Sequence, residues 1–156
     1  MTDEFVKRSA QEYLAGQFAE GGASYEARMN REAAIALAPV VWRDLVRTVT
    51  ESCDAWNSVT KEATLVCKET MLGDLRVRCS GRAQQLVFHL DSPRLLVRVE
   101  NTARLEHEPK VVLSIEGYPA ESGRSARLVR NNEPVNVQML VLEHLRVLAG
   151  LSRKIV

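Results

Sequence analysis

The sequence predicts an α+β fold. The expected core is an antiparallel β-meander of about five to six strands, roughly over 63–131. N-terminal helices at 3–19 and 26–57 and a C-terminal helix at 133–149 are expected to cover it. Three observations carry this expectation. Apolar residues recur three or four apart as far as residue 57, alternate with polar ones from Thr60, and return to helical spacing after Asn132. Short turns between the alternating segments force neighbouring strands to be antiparallel. A sheet with one apolar face must bury it, and the amphipathic helices supply the cover.

The chain has 156 residues, a length that suits a single domain over 1–156 with one core. Its hydrophobic fraction of 46% and charged fraction of 26% exclude a disordered chain. A net charge of +1 sets up no field that demands nucleic acid or an acidic membrane. The first half is mildly acidic and the second mildly basic, and Arg exceeds Lys as in GC-rich bacterial coding. No apolar run reaches the roughly 20 residues of a membrane span. The start, Met1-Thr2-Asp3-Glu4-Phe5, is acidic and does not read as a secretory leader. Cys53, Cys67 and Cys79 are odd in number and lack CxxC spacing, which fits a reducing cytoplasm.

The first helix, 3–19, has Asp3 and Glu4 at the positive end of its dipole. Phe5, Ala10, Leu14 and Phe18 form its apolar side, and Gly21 and Gly22 are expected to stop it. The second, 26–57, carries Ile35, Leu37, Val41, Trp42, Leu45, Val46, Val49, Cys53 and Trp56 at helical spacing. Pro39 should kink or break it near Ala38.

Strands follow at 64–70, 75–80, 84–91 and 94–101. The turns between them are Met71 to Asp74, Ser80 to Ala83 and Asp91 to Arg94. A segment at 104–108 reads as a further strand or an irregular link, and 110–117 as a strand. A loop at 117–125 leads to a shorter strand, 126–130. In the last helix Asn132 is the expected N-cap and Pro134 lies in the first turn. Val137, Leu140, Val141, His144, Leu145 and Leu148 make its apolar face.

Alternation separates two sheet faces. Leu75, Val77, Cys79, Leu86, Phe88, Leu90, Leu95, Val97 and Val99 form an aliphatic core face. The other face holds Arg76, Arg78, Gln85, Val87, His89, Leu96 and Arg98. Turn lengths put Arg76 near Val87 and Arg98, and Arg78 near Gln85. This mixed cationic and aliphatic face is the candidate binding surface, with Arg76, Arg78, Val87, His89, Leu96 and Arg98 as its residues. Its plainest reading is a solvated face whose arginines pair with Glu100 and Glu116.

Arginine beside aliphatic residues also suits a protein contact. The functional expectation is therefore a non-enzymatic protein-binding or scaffold module, a homo-oligomer or the partner of another protein. A small-ligand or enzymatic pocket between the sheet and the long helix, using Arg76, His89 and Arg98, is the first alternative. Anion or nucleic-acid binding is the second. Nucleic acid is disfavoured, because the strand aromatic, Phe88, points to the core face and the helices are not basic.

Other chemical signals are thin. Glu106-His107-Glu108 reads as a solvated loop, and His144 as a hydrogen-bonded core residue. Cys67 and Cys79 should sit opposite each other or one residue out of register, as two buried thiols. No phosphate loop, zinc spacing, calcium loop or nucleophile elbow occurs, so no cofactor or metal is expected.

Overall fold

A computed structural model describes residues 3–102 and 110–152, and their side chains outside 15–23. It has the α+β architecture the sequence predicts. Helix α1 (Asp3–Val59) precedes seven strands, and helix α2 (Val137–Leu148) closes the chain.

Both stretches expected to be helical lie in α1, which runs unbroken through Gly21, Gly22 and Pro39. Glycine costs a helix about 1 kcal/mol against alanine, which is a bias and not a steric bar. Pro39 is exposed, and its missing N–H frees the carbonyl of Ile35, itself 56% exposed. Water can satisfy that carbonyl, so no break at Ala38 is required. At 1.5 Å per residue α1 is about 85 Å long. Its buried face begins at Ala34 and continues through Ala38, Trp42, Leu45, Val46, Val49 and Cys53.

The strands are β1 (Leu65–Glu69), β2 (Asp74–Cys79), β3 (Gln85–Asp91), β4 (Leu96–Asn101), β5 (Val111–Ala120), β6 (Gly123–Arg130) and β7 (Glu133–Pro134). They form one antiparallel sheet in sequence order, so each strand pairs only with its chain neighbours. The segment at 104–108 lies outside the described residues.

Two boundaries differ from expectation. The loop expected at 117–125 is largely strand, since β5 and β6 stay paired to Ala120 and Gly123. Pro119 is tolerated because β4 pairs with β5 only over Val111–Ser114, leaving the outer end of β5 with one open edge. The second difference is the start of the last helix. Asn131 and Asn132 have φ of 53° and 65°, the left-handed pair that a tight hairpin turn needs. They join β6 to the extra strand β7, which contains Pro134. The N-cap is Asn136, whose side chain accepts from the Met139 amide at 3.1 Å.

The core lies between the helices and one sheet face. Leu75, Val77, Leu86, Phe88, Val97, Val99, Leu113 and Ile115 meet Leu45 and Val49 of α1 and Val141, Leu145 and Leu148 of α2. Three polar devices fix the helices. The Asn57 amide donates to the Leu65 carbonyl and accepts from the Leu65 amide, both at 2.8 Å, so α1 ends clamped to β1. Arg124 of β6 reaches Asn30 at 2.5 Å and Glu26 at 2.9 Å. Asn101, 2% exposed, donates to the His144 carbonyl at 3.0 Å and lies 3.4 Å from its ring nitrogen Nδ1, the core role expected of His144.

Candidate functional site

The outer sheet face carries the residues singled out from the sequence, on the side away from both helices. Cross-strand register places Arg76 opposite Val87 and Arg78 opposite Gln85, as expected. Arg98 faces His89, and Val87 faces Glu100. Arg98 is thus two residues along from the position beside Arg76. Arg76, Val87, His89 and Arg98 line one shallow groove of about 460 Å³ with Asp74, Gln85, Glu100 and Thr102. Arg78 and Leu96 fall outside that lining.

Carboxylates neutralise this face. Asp74, whose side chain is only 14% exposed, bonds the His89 ring at Nδ1 and lies 3.8 Å from the Arg76 guanidinium. Asp91 holds Arg98 at 3.2 Å and Arg94 at 3.9 Å. Glu100 holds Lys110 at 2.9 Å. Arg76 and Arg98 therefore pair with Asp74 and Asp91, two acids at strand ends. Such pairing leaves little net field for a polyanion.

The groove's polar groups do not sit between the sheet and α1. His89, oriented by Asp74, has the arrangement of a general base, with a carboxylate fixing one ring nitrogen. Among the described residues no group of three or more His, Cys, Asp or Glu could hold a metal ion.

A second surface lies on the first turns of α1. Every described side chain from Asp3 to Leu14, and from Ser24 to Arg28, is exposed. Val6, Ala10, Tyr13 and Leu14 stand at i, i+4, i+7 and i+8, which places them on one helix face. Exposure is 58% for Val6, 65% for Tyr13 and 58% for Leu14. Lys7 borders this face beside Leu14, whereas Arg8, Gln11 and Glu12 occupy the opposite side, and the exposed Phe5 stands nine positions from Leu14, away from the stripe. Sequence spacing singled out Phe5, Ala10, Leu14 and Phe18 as a cover for the sheet; Phe5, Ala10 and Leu14 are instead exposed, and Phe18 lies outside the described side chains.

No family model matches this chain, and no curated protein or solved structure matches it.

The thiols are arranged differently from expectation. Cys67 pairs with Val77, and Cys79 with Leu65, so the two cysteines are two residues out of register. Cys67 instead lies against α1, with its Sγ 4.0 Å from Thr50 Oγ1, one helical turn from Cys53. Glu106, His107 and Glu108 lie outside the described residues. Among the described residues no helix is long and apolar enough to cross a membrane.

Proposed function

We propose that this chain is a non-enzymatic protein-binding module that pairs with a second copy of itself through the first part of α1. The observation that carries this reading is the exposed apolar face of Val6, Ala10, Tyr13 and Leu14 on a helix containing Gly16, Gly21 and Gly22. Three glycines cost a helix about 3 kcal/mol, and solitary helices of this length are marginal in water. Burial of the apolar face against another helix offsets that cost.

On the side of Val6 and Leu14, Asp3 at one end and Arg28 and Arg31 at the other suit antiparallel pairing. Antiparallel pairing of two copies sets each acidic end against the other's basic end. The three free cysteines support a reducing, cytoplasmic setting.

Sedimentation equilibrium of the full chain tests the pairing. A dimer is expected, and Val6→Asp with Leu14→Asp should give a monomer whose sheet stays folded. A wild-type chain that stays monomeric at high concentration overturns the proposal.

The His89–Asp74 pair favours a second reading, a small-ligand or enzymatic groove on the outer sheet face. Its test is a thermal-shift screen of small carboxylates and phosphates. A stabilisation lost in Arg98→Ala supports it, and no shift with any compound removes it.

A further inference from the structure

Cys53 and Cys67 belong to elements that are adjacent in space and separated in the chain by the connection from α1 to β1. Thr50 and Cys53 lie three residues apart on α1, so both address the same neighbour. Thr50 Oγ1 is 4.0 Å from Cys67 Sγ, which places Cys53, one helical turn on, beside the same strand residue. The two thiols differ in access. Cys53 is 2% exposed, whereas Cys67 is half-buried. Cys79 is also 2% exposed and is offset from Cys67 along the β1–β2 ladder.

We infer that Cys53 and Cys67 form a redox-modifiable dithiol site, with Cys67 as the attacking thiol, Cys53 as the resolving one and a low-molecular-weight disulfide as the oxidant.

The chemistry balances. Cys67, as thiolate, attacks one sulfur of the external disulfide. A Cys67–S bond forms, the external S–S bond breaks, and one thiolate leaves and takes up a proton. Cys53 then loses its proton and attacks Cys67 Sγ. The protein disulfide forms and the second external thiolate leaves. Two protein thiols are oxidised, and one external disulfide is reduced to two thiols. The local environment prepares these roles. Hydrogen bonds from Cys53 and then Thr50 outweigh partial burial and lower the Cys67 thiol from 9.0 to about 7. The hydrogen bond to Cys67, and after it burial, pushes Cys53 above the usual thiol range. The accessible sulfur is thus the nucleophile, and the protected one stays protonated until Cys67 has reacted.

Oxidised glutathione is a suitable probe, followed by intact mass and a non-reducing tryptic map of the full chain. Lys61, Lys68 and Arg78 put the three cysteines on separate peptides. Wild-type protein should lose two hydrogens, link the Cys53 and Cys67 peptides and leave Cys79 free. Cys53→Ser should instead trap one glutathione on Cys67. Cys67→Ser should take up none under the same conditions, because Cys53 is buried. A Cys67–Cys79 link, or the same stable glutathione adduct in wild type and Cys53→Ser, overturns the assignment. So does an unreactive Cys67 in the folded Cys53→Ser protein.

Discussion

The backbone of Asn30 in α1 passes directly over Gly117 in β5. A Cβ built on Gly117 would lie 2.1 Å from the Asn30 carbonyl oxygen and 3.0 Å from the Ala33 Cβ. The glycine therefore has a packing reason, unrelated to backbone dihedrals, and it sets how closely the helix approaches the sheet. Gly117→Ala should push the two apart and destabilise the protein by about 1–3 kcal/mol, the usual range for overpacking. Urea denaturation at constant m-value measures it. A neutral or stabilising result, as strand propensity alone would give, contradicts the close contact.

Asn57 stands in for a strand neighbour at the edge of the sheet. Its amide makes both backbone hydrogen bonds of Leu65, whose side chain is buried. Asn57→Ala should cost about 1–3 kcal/mol, since a donor and an acceptor lose their partners. Asn57→Asp keeps the acceptor but turns an oxygen toward the Leu65 carbonyl, so it should be no better. Hydrogen exchange at the Leu65 amide should accelerate in both variants. Unchanged protection would show that water replaces the clamp without loss.

The antiparallel pairing proposed for α1 makes a charge-swap prediction. Asp3→Lys with Glu4→Lys should weaken the homodimer about threefold to tenfold at low salt. Arg28→Glu with Arg31→Glu should do the same. Mixing the two variants should restore pairing as a heterodimer, detected by native mass spectrometry. A parallel arrangement, in which like ends already meet in the wild type, predicts no weakening of either variant alone.

Cys67 should show a thiol titration near neutrality. The thiolate is the reactive form, so alkylation of Cys67 should rise as pH increases through about 7 and level off above about 8. Thr50→Val removes the second hydrogen bond to the sulfur, so its profile should move to higher pH. Mapping alkylation to the Cys67 peptide isolates the signal in the wild-type protein, and a single rise centred near 9 would show that the environment does not favour the thiolate.

Much of this fold was legible because alternation is a local signal. Leu75, Val77 and Cys79 fall on the core face through backbone geometry alone, and Arg76 and Arg78 on the outer face for the same reason. The helix was misread at Gly21 and Gly22 because a glycine pair lowers helix stability without fixing a turn. Asn132 was misread because Asn serves both as an N-cap and in the left-handed turn conformation, and the choice depends on β7 finding β6. Gly117 read as the start of a loop because the helix that needs it is remote in sequence. The candidate face was found, but Asp74 was not, since it sits at a turn where carboxylates are commonplace. The Cys53–Cys67 pair joins a helix to a strand, and no periodicity links those two elements.

The contact between Arg124 and Asn30 spans 94 residues, whereas every strand of the sheet bonds only to the strands beside it in the chain. During synthesis α1 leaves the ribosome first, and its docking partners on β5 and β6 emerge near the end. The meander can zip up hairpin by hairpin from local contacts, which is the fast part of folding. Closure of the helix over the sheet is the step with the long loop to pay for. Until β6 is made, the apolar side of α1 from Ala34 to Cys53 has only part of its cover, so nascent chains cut short before Arg124 are the ones expected to recruit chaperones.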